Sequence, residues 1–383
     1  MTRLTGDRPP ELRGIFEKSK TMRPTTETEL AEIVTAASAP VVLRGGGTRR
    51  IGEAAGDVLE TGGLSGVVLY EPGALTLVAK AGTPVAEVEA VLAGERQRLA
   101  FEVPDLRGLL GRGGVSTIGG VVAANASGPR RVQVGACRDS LLGVRFVDGT
   151  GAVIKNGGRV MKNVTGYDLV KLMAGSHGTL GVLTEVSFKV QAVPEAEATL
   201  RCEGLDARQA VTALAVAMGS PFDVSGAAWT PADGAVVRVE GLAGSVDYRA
   251  AELLARLGAG WSRVESAGHW RAIRDVSGFA GREGAVWRVS VKPSDAPLVV
   301  EALAPVVRDV VMDWAGGLLW LLVEDRTPGA VVRVALPGGH ATRVRGAGEG
   351  PAFQPEAPAL ARLTAGLRAR FDPKGVFNQG MMG

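Results

Sequence analysis

Ser116-Thr117-Ile118-Gly119-Gly120-Val121-Val122-Ala123-Ala124-Asn125-Ala126-Ser127-Gly128 is composed almost entirely of small side chains. Such a stretch leaves its backbone bare, so a flat aromatic ring or a pyrophosphate can lie directly on it. Close packing between neighbouring elements is the other use of this composition, and the two are compatible. Glycine-rich loops stand on either side. Upstream, an apolar strand over residues 40–43 runs into Arg44-Gly45-Gly46-Gly47-Thr48. Successive N–H groups there can converge on one anion, although an ordinary tight loop reads the same way. Downstream, Gly175-Ser176-His177-Gly178-Thr179-Leu180-Gly181-Val182 leads into another strand. Three such loops spread from residue 44 to residue 182 call for an extended ligand, longer than a single phosphate.

The surrounding pattern is α/β. Thr26 and Glu29 make a capping box for a helix whose apolar face is Leu30, Ile33 and Val34. Thr83 is read as the cap of a second helix, with Pro84 at its first position and Val85, Val88, Val91 and Leu92 on one face. Strands are expected over residues 58–60, 66–70, 75–80, 142–148 and 153–155, and a short helix from Asp168. Composition shifts at Pro194. Beyond it, helices over residues 207–218 and 248–257 alternate with strands over 236–240, 286–291 and 318–323, which predicts a second unit with a mainly antiparallel sheet. Trp314-Ala315-Gly316-Gly317-Leu318-Leu319-Trp320 reads as a buried strand with core tryptophans in preference to an aromatic box over a ligand. A last helix spans residues 357–370.

A chain of 383 residues suits two or three subdomains, and 46% hydrophobic with 22% charged residues is the composition of a globular enzyme. A net charge of +3 without a Lys/Arg block argues against nucleic acid as a partner. The longest uncharged run, residues 113–129, carries Gly113, Gly114, Gly119, Gly120 and Gly128, so it is a loop-rich feature and no membrane span. Cys137 and Cys202 are far apart and belong to no C-x-x-C, so the chain supplies no iron–sulfur or zinc cluster, and buried free thiols are expected. G-x-G-x-x-G, the P-loop pattern and G-x-S-x-G are all absent. With only His177, His269 and His340, a multi-histidine metal centre is not expected, and any acid/base histidine must be one of these three.

Together these residues resemble a known family. Residues 43–48, 116–131, 175–185 and 371–378, with Met161-Lys162-Asn163-Val164-Thr165-Gly166-Tyr167-Asp168-Leu169 and Gly338-Gly339-His340-Ala341-Thr342-Arg343, are similar to the FAD-binding E subunits of bacterial glycolate oxidase. That family lies within the vanillyl-alcohol oxidase, or PCMH-type, flavoprotein superfamily. The resemblance covers most of the chain. It implies an α+β architecture: a PCMH-type FAD-binding fold of two α/β subdomains over residues 1–193, and a smaller α/β cap domain with a mainly antiparallel sheet over 194–356. Residues 357–383 would be a helix and tail returning to the FAD domain. It implies that Arg44, Gly45, Gly46, Gly47 and Thr48 form the pyrophosphate loop. Thr117, Ile118, Gly119, Gly120, Ala124, Ser127 and Gly128 would line pyrophosphate and isoalloxazine, Gly178, Gly181 and Val182 would pass the adenine end, and Asn378 would fold back towards the flavin. Covalent relatives tether FAD through histidine or cysteine, often from that loop. It has neither here, so FAD is expected to be non-covalent and no metal is expected.

The implied reaction is removal of the α-hydrogen of glycolate or a D-lactate-like 2-hydroxy acid, a base taking the hydroxyl proton and hydride passing to flavin. His340 is the candidate base, and Arg343 or Arg131 the candidate partner of the substrate carboxylate. Electrons would pass to a homologous FAD-linked oxidase subunit and an iron–sulfur subunit. The alternative is a non-catalytic flavin-containing structural or electron-relay subunit of the same complex. No hydrophobic h-region opens the sequence, so a cytoplasmic location is expected, with peripheral attachment at the inner face of the membrane through partners.

Overall fold

The computed structural model describes residues 20–159, 166–266 and 268–382. The stretch 161–165 that carries part of the family resemblance lies outside them. Three sheets organise the chain. The smallest is parallel, in the order Thr21–Met22, Asp57–Glu60, Val41–Arg44. The second is antiparallel and holds Val67–Glu71, Thr76–Lys80, Val182–Ala192, Leu141–Val147 and Val153–Gly157 in that order, with Gln97–Leu99 added along Val182–Ala192.

The third sheet has eight strands, all antiparallel, drawn from residues 196–345. Its central strand Leu318–Val323 is apolar at every position and buried throughout. Alternate side chains point to opposite faces of a strand, so an unbroken apolar run means that both faces are covered. Leu319 and Leu321 join Trp287 and Val289 in one core under the helices Ala207–Met218 and Ala243–Leu257. Trp320 and Leu322 join Val286 on the opposite face, against Leu106, Leu109 and Trp270. That second face looks towards the glycine-rich loops.

Two local readings change. Thr83 does not cap the second helix. It is fully buried, and its hydroxyl accepts from the Gly66 N–H at 2.9 Å and lies 2.7 Å from the Lys80 carbonyl. The helix Val85–Gly94 starts from Pro84 without a side-chain cap, because the Ser116 carbonyl accepts the Val85 N–H at 2.8 Å. At the first helix, Thr26 does accept the Glu29 N–H at 3.1 Å, but the Glu29 carboxylate reaches back to the N–H of Thr25. Both cysteines are free and buried, as expected.

Candidate functional site

The three glycine-rich loops meet at one open cleft. Arg44, Gly45, Gly46, Gly47, Thr48, Thr117, Gly119, Gly120, Ala124, Gly178, Gly181, Val182 and Asn378 all line it. The glycines are there because two loops touch backbone to backbone. A Cβ on Gly46 would sit 1.5 Å from the Val115 carbonyl oxygen, and one on Gly119 would sit 2.6 Å from the Ala81 Cβ. Close packing and a bare ligand-facing backbone therefore coexist.

Asn378 closes the cleft from the C-terminal end. Its Oδ1 accepts from the Leu43 N–H at 2.9 Å, its Nδ2 donates to the His177 carbonyl at 2.8 Å, and its own N–H donates to Val41 at 2.9 Å. One buried side chain thus ties the strand Val41–Arg44 to the 175–181 loop. His177 itself stands at φ +50°, with its ring edge-on to Phe353. Burial, with Arg288 nearby, pushes its pKa down to about 4, so the ring is neutral.

Three of the expected residues fall outside the cleft lining. Ile118 is fully buried in the core beneath it. The Ser127 hydroxyl accepts from the Cys137 N–H at 2.9 Å, and the Gly128 carbonyl accepts from Trp314 Nε1 at 3.1 Å. Arg44 does line the cleft but is paired with Glu60 at 2.5 Å. Arg49, which the motif reading missed, is the more intimate cation. Its guanidinium donates to Ser116 Oγ and to the Pro104 carbonyl, both at 2.5 Å, and burial lowers its pKa to about 10. Its adjacency to Thr48 was the available signal. Among the described residues, the buried Nε atoms of Arg49 and Arg50 and the buried Oγ of Ser176, all from cleft-lining residues, have no hydrogen-bond partner. Polar atoms left so beside a backbone cradle fit a bound group rich in oxygen acceptors, as FAD is.

A second cluster gathers near this cleft. Arg131 and Arg288 lie over the indole of Trp314, their Cζ atoms 4.3 and 5.4 Å from the ring centroid. His340 opens the strand His340–Arg345, opposite Ser290 on the neighbouring strand. Its side chain is exposed at the strand's start, yet desolvation by the protein around it lowers its pKa, and Arg288 and Arg131 lower it further, which favours the neutral imidazole near pH 7. Burial, with Arg131 nearby, also lowers Arg288 to about 10. Among the described residues neither guanidinium has a carboxylate, carbonyl or hydroxyl partner. His177 and His340 both sense Arg288, which places the cleft and this cluster in one electrostatic neighbourhood.

Arg343 is not part of it. Its guanidinium donates to the Glu349 and Gly350 carbonyls at 3.1 and 3.0 Å and stacks on Trp287, on the sheet face opposite His340. Residues three apart on a strand point to opposite sides, so His340 and Arg343 could not share a ligand while both lay in one strand. Arg130, next to Arg131, is buried and paired with Glu240 at 3.0 Å. Glu102 and Arg238 (2.9 Å) extend that pair into an ion network joining the loop region to the eight-stranded sheet.

Comparison with known proteins follows the same outline. Residues 19–157 match the family described as FAD binding domain. Over 350 residues the chain is 38% identical to glycolate oxidase subunit GlcE of Escherichia coli (strain K12), covering 90% of this chain and 92% of that protein. It is 35% identical over 196 residues to glycolate oxidase subunit GlcD of Bacillus subtilis (strain 168), covering 48% of this chain and 40% of the other. Among solved structures, an alkyldihydroxyacetonephosphate synthase aligns over 94% of this chain and 77% of its own, with a TM-score of 0.70 and 16% identity. The architecture is thus the PCMH-type FAD-binding fold with an antiparallel cap sheet.

Proposed function

Because the chain belongs to the GlcE family of glycolate oxidase subunits, FAD-dependent oxidoreductases, we propose that it binds FAD non-covalently in the cleft and oxidises glycolate or a D-lactate-like 2-hydroxy acid to the 2-oxo acid within a multi-subunit complex. Bound FAD supplies the two-electron acceptor. Residues 44–48, Thr117, Gly119, Gly120 and Asn378 would hold its phosphate-bearing part, with Arg49 as the buried cation beside them. No histidine or cysteine lies in the 44–48 loop, which supports non-covalent binding.

The observation that carries the substrate reading is the pair Arg131 and Arg288, neither of which has an ion-pair partner among the described residues, beside the neutral His340. Two guanidiniums can hold a carboxylate by charge-assisted hydrogen bonds. A neutral imidazole beside them can accept the proton of the 2-hydroxyl. Arg288 takes the role in this reading for which Arg343 was the expected residue.

The partners in this reading are a homologous FAD-linked subunit and an iron–sulfur subunit. Cys137 and Cys202 are both buried and single, so electrons must leave by another chain, by quinone or by oxygen. The attachment is peripheral, on the cytoplasmic side of the membrane. Among the described residues no helix is long and apolar enough to cross a membrane. The relay alternative is the second reading: among the described residues His340 is the base candidate that stands beside Arg131 and Arg288, and it is exposed at the start of its strand.

The test is anaerobic mixing of the yellow protein with glycolate and with D-lactate, alone and with its partner subunits. Bleaching by the isolated chain, lost in His340→Ala, supports the catalytic reading. Bleaching only in the complex, unaffected by His340→Ala, replaces it with the relay. Acid precipitation that leaves flavin on the protein would overturn non-covalent binding.

A further inference from the structure

The turn joining the strands Val307–Asp313 and Leu318–Val323 runs against the preference of its residues. Trp314 and Ala315 stand at φ +54° and +55°, followed by Gly316 at +105°. The left-handed region crowds Cβ against the next carbonyl, so two such non-glycine residues in succession persist only where their surroundings hold them. The sequence alone favoured a core tryptophan here. That holds for Trp320, which is buried in the sheet, but Trp314 lies in the turn and is only partly buried.

Two contacts hold it. The buried carboxylate of Asp313 accepts the Trp314 N–H at 2.7 Å. The Trp314 Nε1–H donates to the carbonyl of Gly128 at 3.1 Å, the last residue of the small-residue stretch beside the flavin cleft. The indole so fixed is the surface over which both Arg131 and Arg288 lie. Other buried arginines are committed to protein acceptors: Arg49 to Ser116 and Pro104, Arg130 and Arg238 to Glu240 and Glu102. Among the described residues these two have no hydrogen-bond or ion-pair partner, and the ring is what each guanidinium packs on. A ring face attracts a guanidinium without consuming its N–H donors, which stay available to a ligand.

We propose that Trp314 is a positioning residue for the substrate anion, its ring face holding Arg131 and Arg288 ready for a carboxylate and its Nε1–H locking that platform to Gly128 of the flavin-side loop, with Asp313 holding the strained turn in place. This rests on the reading of Arg131 and Arg288 as the carboxylate partners. Without the platform Arg131, at the start of the short helix Arg131–Val134, and Arg288, on the strand Ala285–Ser290, would swing towards protein carbonyls or solvent, and anion affinity would fall with little change in the chemical step.

The experiment uses the FAD-loaded chain and oxalate, a carboxylate probe that lacks an α-hydrogen, titrated by its perturbation of the flavin absorbance. Trp314→Leu, which removes the ring, is expected to weaken oxalate about tenfold or more. Trp314→Phe keeps a ring but loses the Nε1–H, and should fall between that variant and the wild type. With a 2-hydroxy acid as substrate, both variants should raise KM and leave kcat nearly unchanged. Asp313→Ala should weaken oxalate while Asp313→Asn, which keeps an acceptor for the Trp314 N–H, restores it. Trp229→Phe is the control: its indole bonds to the Leu205 carbonyl in the other core, at 2.9 Å, and its loss should leave oxalate binding unchanged. A flavin-loaded Trp314→Leu or Trp314→Phe protein that binds oxalate like the wild type overturns the proposal for Trp314 alone. A wild-type holoprotein that shows no response to oxalate overturns it together with the carboxylate reading.

Discussion

The flavin cleft and the anion cluster beside it are built by opposite means. The cleft is made of backbone: glycines that let the 44–48 loop press on residues 115–117, and an Asn378 side chain whose bonds all go to main-chain groups. The anion cluster is made of side chains, Arg131, Arg288, Trp314 and His340, delivered from separate elements and held by ring faces. A backbone-built site tolerates almost no added atom but depends little on charge. A side-chain site tolerates substitution of shape but fails when charge or its support is removed. Beside them runs the Glu102–Arg130–Arg238–Glu240 network, which ties the loop region to the eight-stranded sheet.

That network is where the largest effect is expected. Glu240 is almost fully buried and touches Arg98, Arg130 and Arg238. Removing one partner leaves buried guanidiniums uncompensated, so Glu240→Ala should destabilise the fold by about 3–5 kcal/mol. Burial by itself would raise the Glu240 pKa, but Arg238, Arg130 and Arg98 bring it well below the usual carboxylate range. A depressed folded pKa means stability that is present above the unfolded value and lost as pH falls towards the folded one. Urea unfolding of the wild type should therefore weaken steadily from about pH 4.5 downwards, and that slope should shrink in the variant. An unchanged slope would mean that the loop region and the sheet are joined by something else.

The backbone side of the comparison is broken by a single methyl group. Gly46→Ala places a Cβ against the Val115 carbonyl and should cost about 3 kcal/mol through overpacking, with loss of flavin. Gly73→Ala is the contrast, since nothing lies within 4 Å of its Cβ position, and it should change stability by less than about 0.5 kcal/mol. Thermal melts with a flavin fluorescence readout separate the two. Equal behaviour would show that the loop has room to move, against the close-packed reading of the cleft.

These two regions also differ in how far the sequence revealed them. Glycine loops after apolar strands are local signals, and twelve residues expected within them line the cleft, while Asn378 was supplied by the family resemblance. Ile118 was misplaced within the same stretch because one face of a short helix must turn to the core, a fact that a small-residue pattern hides. The anion cluster was legible only in part. Arg131 and His340 could be suspected, but Arg288 sits in Ala285-Val286-Trp287-Arg288-Val289-Ser290, where a lone charge on an apolar strand was the signal not used. Arg343 was chosen by closeness in sequence to His340, and strand alternation places the two on opposite faces. Nothing in a tryptophan announces a left-handed turn, since the strain of Trp314 is held by the neighbouring Asp313 and by Gly128 from elsewhere in the chain.

On the side-chain half, Arg288→Met keeps the aliphatic stem and removes the charge. A lost charge-assisted bond of about 2 kcal/mol predicts a fall in kcat/KM of roughly thirtyfold, carried by KM. The same substitution should leave the flavin content unchanged, because Arg288 belongs to the neighbouring cluster and not to the cleft lining. Loss of flavin together with activity would erase the distinction between the two regions.

The smallest expected effect concerns pH. A base must be neutral to work, and the pKa of His340 lies below that of a free imidazole because of burial, Arg288 and Arg131. Activity limited by this group should therefore persist at pH values where an ordinary histidine would already be protonated, about 6.5, and fall only in more acid solution. Arg288→Met removes the nearest charge that opposes protonation. The acid limb of kcat/KM in that variant should move towards higher pH, while the activity that remains at pH 8 reports only the loss of the carboxylate contact. The two consequences of one substitution are thus separable in a single pH profile. An acid limb that stays where it was would mean that the titrating base is not His340.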